Sequence, residues 1–152
     1  MDPKEYERLQ EYERLHRYYA TLADDELQIA YGHGPSGYRD PVIWELVRAL
    51  HVQRRLLQDV QDSPIRFSTG SGISLDDPVL ITGARHDVEG SAAILCWLIR
   101  KYGTMNVDWR LRRQRGWHDG GRQIDIYVIQ LRSGEERTCY FDVTESYGKF
   151  SS

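Results

Sequence analysis

Between Val107 and Thr144 the sequence alternates apolar with polar residues in three successive stretches, separated by two hairpin-turn signals. In the first stretch Val107, Trp109 and Leu111 alternate with Asp108, Arg110 and Arg112. Successive side chains of a strand point to opposite faces, so the apolar set belongs against a core and the charged set in solvent. The second stretch, 123–131, is apolar on both faces: Ile124, Ile126 and Val128 oppose Tyr127, Ile129 and Leu131. Such a strand belongs in the middle of a sheet. The third, 137–144, carries Cys139, Phe141 and Val143 on one face. Asp119-Gly120-Gly121 and Ser133-Gly134 supply the tight turns. The pattern predicts an antiparallel meander.

Upstream of it, 78–82 reads as a short apolar strand leading into a helix over 88–102. Asp87 is the expected N-cap, Glu89 complements the helix dipole in the first turn, and Arg100 and Lys101 complement it in the last, before Gly103. The run from Ala92 to Ile99 is apolar all round, which predicts a helix buried on most sides. Ile94, Trp97, Leu98, Ile126, Val128 and Phe141 are the predicted core.

The N-terminal third reads as helical. Leu9, Tyr12, Leu15, Tyr19 and Leu22 fall on one stripe of an amphipathic helix, with Glu7, Glu13, Arg14 and Arg17 opposite. The tyrosine-rich stripe, with Tyr6, is expected to pack on a later helix or on a second copy. Asp24 is placed to cap a short second helix, ended by the glycine-rich stretch from Gly32 to Gly37. Asp40-Pro41 starts a third helix, which Asp62-Ser63-Pro64 stops. The organisation expected is a helical region over 1–61, a linker or loose hairpin over 62–77, and an α+β core over 78–150, forming one globular unit. The fold class is α+β: N-terminal helices, then a strand, a buried helix and a three-stranded antiparallel meander.

Composition narrows the function classes. Hydrophobic residues make up 40% and charged residues 28% of the chain, ordinary globular usage that allows a packed core. The longest apolar run, Ala92 to Ile99, is far short of the ~20 residues of a membrane span. No apolar segment near the N-terminus reads as a signal peptide, so a cytoplasmic protein without membrane partners is expected. Cys96 and Cys139 sit in apolar stretches and outside any metal-ligand spacing, as small buried hydrophobes do. No cofactor or metal is expected.

Net charge is −3, yet from Arg100 to Arg122 the chain carries +5. The centre of that charge is the segment from Trp109 to His118, closed by Arg122. Arg110, Arg112, Arg113, Arg115 and Arg122, interleaved with Trp117 and His118, are the candidate binding residues. Such a surface suits a protein partner with an acidic surface. Nucleic acid is the alternative, because cations neutralise phosphates and aromatics stack bases. Trp109, on the face opposite Arg110 and Arg112, is expected in the core. Charged decoration that merely blunts a strand edge is the bland reading.

Chemistry has weaker signals. The turn from Thr82 to Ser91 joins a strand, a glycine and a helix start, but its spacing is that of neither a dinucleotide nor a Walker loop. Asp125 and Asp142 stand at similar distances from the Ser133-Gly134 turn, so paired strands would bring them near each other. With a histidine (His86 or His118) they form the candidate site of a small metal-dependent hydrolase or nuclease. Thr144 stands two residues after Asp142, where the magnesium nucleases place a lysine. The sequence therefore favours a small non-catalytic interaction module of the accessory, adaptor or immunity type.

Overall fold

The computed structural model describes residues 2–68 and 70–149. Its helices are α1 (Pro3–Ala20), α2 (Asp24–Gly32), α3 (Pro41–Gln61) and α4 (Asp87–Tyr102). Its strands are β1 (Arg66–Phe67), β2 (Val79–Thr82), β3 (Trp109–Asp119), β4 (Arg122–Leu131) and β5 (Glu136–Asp142). The strands form one sheet in the order β1-β2-β5-β4-β3. The expected meander is present, with β4 antiparallel to both β3 and β5. The early strand β2 completes a mixed sheet by pairing parallel to β5. The fold is α+β, as the alternation and the helical stripes predicted.

Backbone contacts divide the chain into two units, parted between Arg54 and Arg55 inside α3. In the first unit Leu27, Leu46, Val47 and Leu50 are buried. Asp24 does not cap α2 but opens it, and its carboxylate pairs with Arg54 at 2.9 Å. Ala23 is the capping residue, and Glu26 accepts its backbone N–H at 3.1 Å. Along α1 the stripe is unevenly covered: Tyr12, Leu15 and Tyr19 are half-buried while Tyr6 and Leu9 are exposed.

The second unit holds the larger core. Cross-strand register sorts β4 cleanly: Tyr127 lies beside Cys139 and Ile129 beside Arg137, while Ile126 lies beside Tyr140 and Val128 beside Thr138. Tyr127, Ile129, Cys139 and Phe141 join Ala93, Ile94, Cys96, Leu98 and Ile99 of α4 in one cluster, so α4 covers the odd-numbered face of β4. Val60 and the half-buried Leu56 and Leu57 bring the last turns of α3 into the same cluster. A single sheet covers one side of a helix, and this corrects the expectation for Trp97. Half-buried, its ring stands T-shaped to that of Phe141 with centroids 5.2 Å apart and carries the Lys101 ammonium 4.8 Å over its face. The other predicted core residues are buried.

The stretch before β2 is wound into the sheet. Phe67 pairs with Ile81, and the Gly72 carbonyl accepts from Tyr140 N–H at 2.8 Å beyond the reach of β2. Gly72 stands there at φ +75 with Val79 Cγ2 3.0 Å from where a Cβ would be, a conformation and a spacing that side chains resist. Both cysteines are free and buried. Among the described residues no helix is long and apolar enough to cross a membrane.

Candidate basic hairpin site

The β3–β4 hairpin turns through Gly120 and Gly121, both at positive φ, the arrangement whose twist matches that of the flanking strands. Asp119 and Arg122 flank the turn and form an ion pair at 3.0 Å. Further along β3, Arg115 stands opposite Ile126, Arg113 opposite Val128 and Trp117 opposite Ile124. These three side chains therefore share the face of the sheet that α4 does not cover.

Strict alternation predicted Arg110 and Arg112 on one face, and the structure corrects this. The register slips between Leu111 and Arg113, so Arg112 is the extra residue of a β-bulge. After the slip the odd-numbered residues of β3 take over the face that Arg110 began. Arg110 itself lies against Gln130, whose side-chain carbonyl accepts from Nε at 3.0 Å and Nη2 at 2.7 Å. The bulge thus gathers Arg110, Arg113, Arg115, Trp117 and Arg122 on one side. His118 falls on the other, its Nε2 3.3 Å from the Tyr147 hydroxyl. Trp109 is core, 2% exposed, with its indole N–H donating to the Gly103 carbonyl at 2.7 Å.

Charge balance across the hairpin is incomplete. Arg122 has Asp119, and Arg113 reaches Glu136 only at 3.9 Å, with both side chains largely in solvent. Among the described residues Arg110, Arg112 and Arg115 have no carboxylate partner. All three are exposed. Beside Arg115 a cavity of about 530 Å³ opens onto the sheet, floored by Ile126 and Val128 and walled by Arg113, Gln114, Arg115, Thr138 and Tyr140. An apolar floor with a cationic wall can hold a group that is apolar at its base and anionic at its tip.

The paired-carboxylate site is overturned. Asp125 stands opposite Phe141 and Asp142 opposite Ile124, so adjacent strands carry the two carboxylates on opposite faces. Similar distances from the turn had suggested proximity, but the one-residue offset in register reverses the side. Asp142 instead closes the turn after β5, accepting from Thr144 N–H at 3.0 Å and Thr144 Oγ1 at 2.6 Å.

Asp125 faces α4, where a smaller polar cavity of about 140 Å³ is lined by Asp87, Ser91, Asp125, Ser146 and Tyr147 among others. Burial, and then the nearby Asp87 charge, push the Asp125 carboxyl above its ordinary range, against a lowering hydrogen bond from Gln123. Burial and the Asp125 charge push Tyr127 up to about 12. Asp87 is not the cap of α4; His86 holds that position without a side-chain bond. Asp87 ties down the segment after β5 instead, accepting from Gly148 N–H at 2.9 Å and donating its own N–H to the Lys149 carbonyl at 3.0 Å. Sequence reasoning missed the Asp87–Asp125 approach. The signal was there: Asp125 shares the odd-numbered face of Tyr127 and Ile129, the face a buried helix must cover.

No protein family, curated protein or solved structure matches the chain.

Proposed function

We propose that this protein is a small non-catalytic interaction module that holds an acidic protein surface on its basic β3–β4 hairpin. The observation that carries the reading is the set of exposed arginines, Arg110, Arg112 and Arg115, that have no carboxylate partner among the described residues, the last of them on the wall of a cavity with an apolar floor. Cations without counter-charges repel wherever they stand within the ~10 Å Debye length of 0.1 M salt, and a carboxylate on a partner relieves that repulsion. Trp117, 45% exposed on the face of Arg113 and Arg115, offers the partner an aromatic contact at the turn-ward end of that charge. A protein partner suits the apolar floor better than nucleic acid does, because phosphates would meet the arginines but leave Ile126 and Val128 uncovered.

The test is charge reversal at Arg112→Glu together with Arg115→Glu. Among the described residues neither has a carboxylate partner, so the variant keeps wild-type circular dichroism and melting behaviour. Captured from native cell extract, the acidic partner is lost with the variant and retained by the wild type. Wild-type behaviour of the double variant refutes the reading. A parallel salt gradient on immobilised DNA separates the alternative: retention that collapses steeply with salt and tracks the same arginines would move the assignment to nucleic acid.

A further inference from the structure

We infer that the partner enters as an extended acidic strand that adds to the free edge of β3, an inference resting on the proposed function above. Of the two edges of the sheet, β1 offers only two residues, whereas β3 offers eleven. At Trp109 the β3 edge is covered, since Asn106 N–H donates to the Trp109 carbonyl and Met105 bridges alongside. Beyond the bulge no strand of the described residues pairs with it.

The phase of the hairpin fixes which backbone groups face outward. Asp119 and Arg122 close a two-residue turn, so they bond to each other, as do the alternate pairs Trp117–Ile124, Arg115–Ile126 and Arg113–Val128. Gln123 supplies an independent check. Its carbonyl accepts from Val143 N–H and its N–H donates to Thr144 Oγ1, so both point toward β5 and neither toward His118. The N–H and C=O groups of His118, Gly116 and Gln114 therefore point away from β4. They form a short donor–acceptor ladder on which no strand of the described residues lies, the template on which an extended peptide adds.

Side chains select the occupant. A strand laid on this ladder has its alternate residues beside Arg113, Arg115 and Trp117 on the cavity face. Carboxylates two residues apart meet the two arginines, and an apolar residue at the next alternate position meets Trp117. Arg112, pushed out by the bulge, adds a third cation at the entry. A second copy fits poorly. Two-fold pairing about Gly116 would set Arg115 diagonal to the other copy's Arg115, about 7–8 Å away on the same face. It would also join two hairpins that each carry arginines without carboxylates. The bulge and the arginines reject neutral and basic strands, so what blunts this edge against aggregation also makes it selective.

The experiment titrates the whole protein with a short peptide alternating glutamate and threonine, followed by Trp fluorescence. Its controls are the same peptide N-methylated at every second amide and a lysine–threonine counterpart. The expected result is saturable binding of the acidic peptide, loss of binding on N-methylation in the ladder phase, and none for the lysine peptide. Gln114→Pro removes one outward N–H that β4 does not use and weakens binding roughly five- to tenfold. The N-methylated peptide tests the same claim on the unaltered protein, should the proline disturb β3. Equal binding of methylated and unmethylated peptide, abolished by R112E/R115E, overturns strand addition and leaves the acidic-partner reading standing. No binding of the acidic peptide to the wild type also overturns the inference. Self-association that Gln114→Pro dissolves overturns it in favour of a second copy.

Discussion

Ile126 and Ile129 are on the same strand and both buried, at 4% and 0% exposure, yet their replacement by alanine should not cost the same. Ile→Ala deletes three carbons, a transfer loss of about 2.4 kcal/mol at ~0.8 kcal/mol each. Ile129 is enclosed in the cluster beneath α4 with Tyr127, Phe141 and Leu98. There the deletion leaves a closed void, and the added cavity term brings the loss to about 4–5 kcal/mol. Ile126 is on the opposite face, flooring the cavity of about 530 Å³ beside Arg113 and Arg115. Removing its outer carbons enlarges a space that is already there rather than opening a new closed void, so the cavity term largely disappears. The loss should stay near ~2–2.5 kcal/mol. Urea unfolding followed by Trp fluorescence measures both, because Trp97, Trp109 and Trp117 all belong to the second unit. Equal losses, or a larger loss at Ile126, would refute the assignment of the two faces.

Asp125 gives a pH prediction. Its carboxyl is raised in the fold by burial and by Asp87, so its protonated form favours the native state and the stabilisation is lost as pH rises through the raised value. Asp125→Asn should therefore gain stability relative to wild type as pH climbs above the ordinary carboxylate range, as paired denaturant titrations across acid and neutral pH would record. Asp87→Ala should cost about 1 kcal/mol through the lost bond to Gly148 and speed amide exchange at Gly148 relative to β4. Trp109→Phe keeps most of the ring volume but leaves the Gly103 carbonyl without its donor, at a cost of about 1–3 kcal/mol on thermal unfolding.

Three strands, the buried helix and the helical N-terminal third were legible because each rests on a local period and a local stop signal. Asp40-Pro41 before α3 and the paired glycines of the β3–β4 turn are short-range chemistry that a sequence displays directly. Partners across the sheet were not legible. Nothing local says that β2 lies beside β5, because that parallel pairing joins residues some sixty positions apart. The site shows the same limit at finer scale. The cluster of arginines could be read from their number, but which of them share a face depended on one bulged residue, Arg112. A one-residue offset likewise parted Asp125 from Asp142 and sent Asp125 to Asp87. His118 was legible as a neighbour of the arginines in sequence and lies across the sheet from them in space, against Tyr147. Composition gave the chemistry, and register decided the geometry.

The most direct test is a residue-resolved map of where an acidic ligand touches the protein. In a two-dimensional amide NMR titration with the glutamate–threonine peptide, shifts should concentrate from Arg110 to Arg122, with Gln114, Gly116 and His118 the most affected. Ile126 and Val128 should follow as the cavity floor responds, and R112E/R115E should abolish all of these shifts. Perturbations centred on the Asp87–Asp125 cavity or on α1, with the hairpin silent, would contradict it.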